Sequence, residues 1–193
     1  MGKPVIGVMG ASANDGLDPA EKARLQQVAE ELGEAIVDAD CLLVTGATTG
    51  LPGMVARALR KHGGFAIGIS PAENYAEHVG RYGLPEDGAD LFVYTGFGYK
   101  GRNVINIRSS DIVIILGGAT GTLNEFTIAY DEGKVIGVLE GSGGVADQIK
   151  KIVEVCQKPT PGKLFFDSDP KTLIQTCVSA IATRDHLADR SVK

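Results

Sequence analysis

The segment 111–125, DIVIILGGATGTLNE, constrains the fold of this chain more than any other part of its sequence. Its apolar run stops at Gly117 and Gly118, a pattern typical of a buried strand that turns tightly into a helix. We expect that helix to begin near Thr122, so that its free backbone N–H groups and the positive end of its dipole face the loop. Such a loop favours an anion, and Glu125 is predicted to lie beside it in the first helical turn.

The composition favours one domain with an aliphatic core. A chain of 193 residues can bury roughly 70% of its unfolded surface, so it needs neither disulfides nor metal to fold. Hydrophobic residues make up 44% of the chain, with no Trp, six Phe and five Tyr, so that Val, Ile, Leu and Ala must build the core. Aliphatic strands suit a sheet that helices cover on both faces.

Apolar runs and helical patterns alternate along the chain. The sequence predicts strands at 5–9, 41–45, 65–69, 91–95, 112–116, 135–139 and 163–166, helices at 19–37, 52–61, 102–109, 122–132, 145–157 and 170–184, and an irregular section at 70–90. This alternation indicates a three-layer, Rossmann-like α/β fold, with a mostly parallel sheet of about seven strands and helices on both faces. No linker divides the chain, so we expect a single domain over residues 1–188 and a frayed tail over 189–193.

Three of the predicted strands end in glycine-rich turns, at 7–16, 45–53 and 117–122. In a parallel sheet these turns gather at one edge, and ligands bind there at the point where the strand order reverses. A single turn needs glycine simply because it tolerates positive φ, but three such turns together favour a binding site. The candidate ligand-binding residues of these turns are Gly10, Ser12, Asn14, Thr45, Gly46, Thr48, Thr49, Gly50, Gly53, Gly117, Gly118, Thr120, Gly121 and Thr122.

The common nucleotide-binding and catalytic motifs do not occur. The turn 7–16 lacks the spacing of GxGxxG, Thr45 stands where a dinucleotide site has Asp or Glu, and no glycine-Lys-Ser/Thr sequence is present. The histidines His62, His78 and His186 are scattered and expected to be exposed, so we predict neither a histidine-based nucleophile nor a metal site. No Lys lies in an evident Schiff-base motif, which argues against decarboxylation with pyridoxal phosphate.

Charge and cysteine usage indicate the class of partner and the compartment. The net charge of −5 opposes general binding to nucleic acid or to anionic lipid. No apolar run approaches the ~20 residues of a membrane span. The cysteines Cys41, Cys156 and Cys177 are widely spaced and lack metal-ligand spacing. We therefore expect a cytoplasmic protein with reduced core thiols, whose partner is a small phosphate-bearing molecule rather than nucleic acid or membrane.

The run 101–125 resembles the signature of the LOG family, cytokinin-activating nucleoside-5′-monophosphate phosphoribohydrolases. That signature has an Arg, a Ser-Asp pair, an apolar strand and then P-G-G-x-G-T-x-x-E. The matching residues are Arg102, Ser110, Asp111, Gly121, Thr122 and Glu125. The turn after the second strand also resembles the family's G-G-x-x-G-L-M-G segment, with Gly46, Gly50, Leu51 and Gly53 in register.

The chain departs from the LOG signature at four positions. Asn103 replaces a usual Lys, Asn106 replaces a usual Met, Gly117 replaces the proline and Ala119 replaces the second glycine. With these changes the chain resembles a sister branch of the LOG-like Rossmann-fold superfamily, the one near the molybdenum-cofactor carrier protein and uncharacterised bacterial relatives.

This resemblance implies two alternative functions. In the first, the N–H groups of 118–122 hold the 5′-phosphate of a nucleotide, and Glu125 supports cleavage of the N-glycosidic bond by stabilising positive charge or activating water. Arg102 would bind phosphate or ribose, or hold Glu125 ionised in a bidentate pair, and Asn103 would contact the ligand. In the second, the protein is a non-catalytic carrier or binding protein for molybdenum cofactor or a nucleotide.

The resemblance also bears on cofactors and assembly. No cofactor is required for either function, and the expected bound molecule is a nucleotide, phosphate or molybdenum cofactor. Relatives form dimers or tetramers, so a homo-oligomer is expected. The apolar faces 104–107 and 126–130 suit contacts between copies, and they suit the core equally well.

Overall fold

The computed structural model of this protein describes residues 2–12 and 18–190, with side chains described up to Ile181. The apolar runs form strands and the amphipathic stretches form helices, in strict alternation. The elements are β1 (Val5–Gly10), α1 (Pro19–Asp38), β2 (Leu42–Thr45), α2 (Gly50–Lys61), β3 (Ala66–Ser70), α3 (Tyr75–Gly80), β4 (Leu91–Tyr94), α4 (Gly98–Arg108), β5 (Ile112–Leu116), α5 (Thr120–Asp131), β6 (Val135–Leu139), α6 (Ile149–Cys156), β7 (Lys163–Asp167) and α7 (Pro170–Arg190), with a 3₁₀ turn (Ala146–Gln148) before α6.

The seven strands of the described residues form one parallel sheet. Their order is β4-β3-β2-β1-β5-β6-β7, and every pairing is parallel. The predicted Rossmann-like fold class is therefore confirmed. The chain builds the sheet outward from β1 to β4 and then, on the other side of β1, from β5 to β7. The strand order thus reverses between β1 and β5, and a crevice opens beyond their carboxyl ends.

Alternation along the strands divides the core into two layers. In β5, Ile112 and Ile114 join the cluster that contains residues of α1, α2 and α7, whereas Val113 and Ile115 join the cluster that contains residues of α4, α5 and α6. All four side chains are fully buried. Successive residues of a strand point to opposite faces of the sheet, which is why a continuous aliphatic run fills both layers.

Helix α1 is fixed at its start by a cap and along its length by close packing on α2. The Asp18 carboxylate accepts hydrogen bonds from the backbone N–H groups of Ala20 and Glu21, over 2.9 and 3.0 Å. At Gly33, a Cβ atom would lie 2.6 Å from the backbone nitrogen of Leu59 in α2. Glycine at this position therefore allows the two helices to approach closely.

One helix lies in the section 70–90 that the sequence predicts to be irregular. Helix α3 has six residues, and the Asn74 side chain caps it by accepting from the N–H of Glu77 over 3.0 Å. A helix of this length has too few turns to show apolar periodicity, which explains why the sequence did not predict it. Within α3, His78 is fully buried, so the expectation that it is exposed is wrong.

Three further expectations concern the C-terminal tail, the location of the thiols and the presence of membrane-spanning helices. Helix α7 includes residues 189 and 190, and residues 191–193 of the expected tail lie outside the described residues. Cys41 and Cys177 are buried, but Cys156 is exposed at the end of the short helix α6, so the thiols are not all in the core. No helix among the described residues is long and apolar enough to cross a membrane.

The two faces considered for contacts between copies lie largely in the core. Ile107, Phe126 and Ala129 are almost completely buried and belong to the cluster beneath α4, α5 and α6. Val104, Ile105 and Ile128 are half-buried. The apolar periodicity of these segments is therefore explained by packing within one chain.

Candidate functional site

The glycine-rich turns after β1, β2 and β5 border one cavity of about 800 Å³ at the carboxyl edge of the sheet. Arg102, Asn103 and Glu125 line the same cavity, which places the candidate catalytic side chains next to the turns. The other predicted site residues that line it are Gly10, Ser12, Gly46, Thr48, Thr49, Gly117, Gly118, Gly121 and Thr122. Asn14 lies outside the described residues.

Four predicted ligand-binding residues do not line this cavity, although the structure describes them all. Thr45 is buried, and its hydroxyl accepts the N–H of Ala47 over 3.3 Å. At Gly53, a Cβ atom would lie 2.7 Å from the carbonyl oxygen of Thr48, so this glycine allows α2 to pack on its own loop. Gly50 begins α2 with φ of +71°, and Thr120 is exposed at the start of α5.

The turn after β5 forms a cradle, a name that we give to the backbone of residues 118–122. Gly117 and Gly118 have φ of +60° and +90°, and a side chain on Gly118 would collide with the side chain of Thr122. Within the described residues, the five N–H groups of the cradle donate no hydrogen bond. Free N–H groups at the start of a helix, with no side-chain cap, suit an anion.

Helix α5 begins at Thr120, earlier than the predicted start at Thr122. The positive φ angles of Gly117 and Gly118 complete the reversal of the chain, so that the helix starts at once. Glu125 consequently lies in the second turn of α5, which corrects the prediction that it lies in the first. Its carboxylate stands about one turn above the cradle.

The segment 141–146, which follows β6, holds the cradle in place, and the sequence predictions missed it. The Ser142 hydroxyl accepts the N–H of Gly117 over 2.9 Å and donates to the carbonyl of Leu139 over 2.6 Å. The N–H of Val145 donates to the carbonyl of Gly118 over 2.8 Å. Ser142, Gly143 and Gly144 also line the cavity. The sequence GSGG after the sixth strand was a fourth glycine-rich turn and could have indicated this role.

A buried ion pair joins α4 to α5 at the cavity wall. Nη1 of Arg102 donates to Oε1 of Glu125 over 3.1 Å, and each side chain is only 7% exposed. A Cβ atom on Gly46 would lie 2.6 Å from Nη2 of Arg102, so glycine here makes room for the guanidinium. Arg102 contacts Glu125 through one nitrogen, which differs from the bidentate pair expected.

Burial raises the proton affinity of the carboxylate in this pair. Desolvation raises the pKa of Glu125, whereas the charge of Arg102 and the amide of Asn106 act in the opposite direction. Burial also lowers the pKa of Arg102, but a guanidinium remains charged in proteins. The site therefore holds a permanent positive charge beside a carboxyl group that can exchange a proton, a combination typical of functional sites.

Two polar atoms near the pair lack a partner among the described residues. They are Nε of Arg102 and Oδ1 of Asn106, both fully buried. Asn103 is better satisfied, because its Nδ2 donates to Asn124 over 2.8 Å and its Oδ1 accepts from Arg102 over 3.3 Å. A buried donor without an acceptor is unfavourable, so these two unpaired atoms are an energetic cost of the buried pair.

Aromatic and basic side chains at the opening of the cavity complete its wall. Tyr82 and Tyr99 line it, together with Lys100. The sequence predictions missed these residues because they lie in a section without periodicity and at the start of a helix predicted to begin at Arg102. Among the described residues, no group of three or more His, Cys, Asp or Glu side chains could hold a metal ion.

The fold and the site define an α/β protein of Rossmann-like architecture, with a glycine-lined crevice at the reversal point of its sheet. Within this class, residues 3–174 match the model of the SLOG cluster4 family, so the chain belongs to that family. An uncharacterized protein from Archaeoglobus fulgidus is 32% identical over 135 residues, which cover 70% of this chain and 79% of the relative.

Two solved structures that are similar to this chain are of proteins that bind or carry molybdenum cofactor. The molybdenum cofactor binding protein from Rippkaea orientalis is 28% identical, with a TM-score of 0.73 over 94% of this chain and 99% of that chain. The molybdenum cofactor carrier protein from Chlamydomonas reinhardtii is 25% identical, with a TM-score of 0.71 over 93% and 99%. The predicted place of the chain, in the LOG-like superfamily near such carriers, is confirmed.

Proposed function

We propose that this protein binds a nucleoside 5′-monophosphate in the cavity and hydrolyses its N-glycosidic bond. The observation that carries this proposal is the buried pair of Arg102 and Glu125 on the wall that also contains the cradle. The free N–H groups of the cradle suit the phosphate, since they meet its charge without a competing side-chain cap. The carboxylate one turn further along α5 then faces the sugar rather than the phosphate.

Each group has a defined part in the proposed reaction. As the bond between the base and the anomeric carbon breaks, positive charge develops on the sugar, and the Glu125 carboxylate stabilises it. Water adds to the anomeric carbon as the bond to the base breaks. Glu125 accepts one proton from the water and then releases it to solvent, while the departing base takes up one proton from solvent, so that the carboxylate is regenerated. Burial raises the pKa of Glu125 and so favours proton transfer to it. Arg102 orients the carboxylate through Nη1.

The test is incubation of the protein with AMP, GMP, CMP and UMP, followed by chromatography of the products. We expect release of free base and ribose 5-phosphate from at least one of them. Glu125→Gln should abolish release, while binding of ribose 5-phosphate persists. Glu132→Gln is the matched control, because Glu132 directly follows α5 and forms an ion pair with the exposed Arg108 of α4. Absence of release from the whole panel would contradict the proposed hydrolysis.

A second function is supported by the likeness to molybdenum cofactor proteins over more than nine-tenths of the chain. In this alternative the protein carries molybdenum cofactor, a phosphorylated pterin, with the phosphate in the same cradle and no turnover. Purified protein should then retain the cofactor, and Gly118→Ala should weaken retention because the new methyl group collides with Thr122. Glu125→Gln would separate the two functions, since it should abolish hydrolysis while the folded protein still retains the cofactor. No detectable affinity for the cofactor would contradict the carrier function.

A further inference from the structure

Two tyrosines stand together at the opening of the cavity, and neither the fold nor the proposed reaction explains them. Tyr82 follows α3, and Tyr99 lies in the first turn of α4; their ring centroids are 5.3 Å apart and their planes are 86° apart. Tyr99 keeps 46% of its surface exposed, although it lines the cavity. Its ring also lies 5.9 Å from Cζ of Arg102, so it adjoins the buried ion pair.

The turn that carries Tyr99 is fastened to the segment that follows β3. The N–H of Gly96 donates to the carbonyl of Ala72 over 2.9 Å, and the N–H of Gly98 donates to the carbonyl of Pro71 over 3.0 Å. Both glycines have positive φ, +68° and +62°, so the turn has a conformation that favours glycine. These backbone hydrogen bonds fix the turn from which the Tyr99 side chain projects.

The turn that carries Tyr82 is fastened to the same segment through the buried His78. Nδ1 of His78 lies 2.8 Å from the Ser70 hydroxyl, and its Nε2 lies 3.1 Å from the carbonyl of Pro85. The carbonyl of His78 accepts the N–H of Leu84 over 3.0 Å. The two tyrosines thus come from separate turns that are each fastened at the end of β3 or just after it, and such preorganisation is typical of a binding subsite.

The contacts give an order along the cavity wall. Glu125 lies one turn beyond the cradle, Arg102 contacts Glu125, Tyr99 lies over Arg102, and Tyr82 contacts Tyr99. A ligand with its phosphate in the cradle would therefore reach the tyrosines with its opposite end. Exposed aromatic rings bind planar heteroaromatic rings by stacking, whatever the exact base, and the adjacent cations strengthen such contacts.

We propose that Tyr82 and Tyr99 form the subsite that recognises a planar heteroaromatic ring attached to a phosphate monoester. This inference rests on the proposed function, because it takes the phosphate to occupy the cradle. Nucleotides and phosphorylated pterins share this chemistry. His78 is a positioning residue for the subsite, since it fixes the turn of Tyr82 without lining the cavity among the described residues.

The experiment compares ligands with and without a ring by isothermal titration calorimetry. The probes are formycin 5′-phosphate, whose carbon–carbon bond cannot be hydrolysed as an N-glycoside, 6-hydroxymethylpterin phosphate and ribose 5-phosphate. In the wild-type chain, at least one ring-bearing probe should bind more tightly than ribose 5-phosphate. Tyr99→Leu should weaken the binding of that probe on the order of tenfold or more. The affinity for ribose 5-phosphate should not change.

Two variants control for structure. Tyr99→Phe keeps the ring and should restore tight binding. Phe97→Leu removes an aromatic side chain that is 69% exposed close by, outside the cavity lining, and should have no effect. Circular dichroism of each variant verifies the fold.

The outcomes distinguish failure of the proposed subsite from failure of the proposed function. Equal binding of ring-bearing and ringless probes, or equal weakening of both by Tyr99→Leu, would overturn the subsite and leave phosphate binding in the cradle intact. Failure of all three phosphate esters to bind the wild-type chain would overturn the proposed function, and the subsite with it. The tighter of the two ring-bearing probes shows whether the ring is of the nucleotide or the pterin class.

Discussion

Removal of one partner of the Arg102 and Glu125 pair should destabilise the protein far more than removal of a comparable surface partner. The structure contains a matched control, because Arg108 at the end of α4 and Glu132, the residue that follows α5, form a second ion pair. The surface pair is shorter, 2.9 Å against 3.1 Å, but its arginine side chain is 69% exposed. Distance alone would predict the opposite ranking, so burial is the quantity under test.

The expected magnitude follows from the 7% exposure of both buried side chains. At an effective dielectric constant of about 20, two charges about 4 Å apart attract by about 4 kcal/mol. Glu125→Gln leaves Arg102 charged, buried and with Nε already unpaired, and such an uncompensated charge costs about 3–5 kcal/mol. Glu132→Gln at the surface should cost only about 0–1 kcal/mol.

The reciprocal variant, Arg102→Met, should behave differently with pH. Glu125 can escape the lost pair by taking up a proton, because burial raises its pKa and no guanidinium opposes the shift. The native state then binds more protons than the unfolded state, so the stability of Arg102→Met should fall as pH rises above about 4.3, the ordinary Glu value. In Glu125→Gln the titrating carboxyl group is gone and Arg102 stays charged, so the stability of this variant should lack the dependence on pH that Glu125 gives to Arg102→Met.

Urea unfolding followed by far-ultraviolet circular dichroism measures these differences. For a chain of this length, 3–5 kcal/mol corresponds to a fall in Tm of about 6–20 °C. The urea dependence of the unfolding free energy should be unchanged, because the same surface is exposed on unfolding. Glu125→Gln could lower the free energy of unfolding no more than Glu132→Gln, or the free energy of unfolding of Arg102→Met could be independent of pH. Either result would mean that the pair is not desolvated and that our electrostatic account of the site is wrong.

Two further predictions concern a close approach and the thiols. Gly46→Ala should displace the guanidinium of Arg102 and lower stability by about 1–3 kcal/mol in thermal unfolding, whereas Gly121→Ala, with open space around it, should not destabilise. Cys156 should react with a thiol-specific disulfide reagent in the native protein, but Cys177 only after unfolding, because burial raises its pKa to about 12. Since the folded state disfavours that thiolate, stability should also fall as pH rises above about 8.5.

Most of the fold could be predicted from the sequence, because its strands are short apolar runs that alternate with helical patterns. The run from Ile112 to Leu116 predicts a strand buried on both faces, and each of the seven predicted strands has a counterpart within a residue or so at either end. Helix α3 was missed, since its six residues are held by the Asn74 cap and by the contacts of His78, not by a periodic apolar face.

The candidate site could be predicted only in part from the sequence. Glycine marks both positions that approach a ligand and positions that approach the chain's own backbone, so Gly118 and Gly53 look alike in sequence. The first borders the cavity and the second packs α2 on its loop. Likewise, nothing local indicates that Tyr82 and Tyr99, which are far from Glu125 along the chain, line the same cavity.

The sequence by itself determined the parallel sheet, the layers of helices and the turn at 117–122, because these depend on periodicity and on local backbone preference. Only the tertiary structure decided that Arg102 and Glu125 form a buried pair, that Ser142 supports the cradle and that His78 is enclosed. Each of these depends on which distant segments meet and on how much water they exclude. Burial then raises the pKa of Glu125, which bears on the chemistry that we propose for the site.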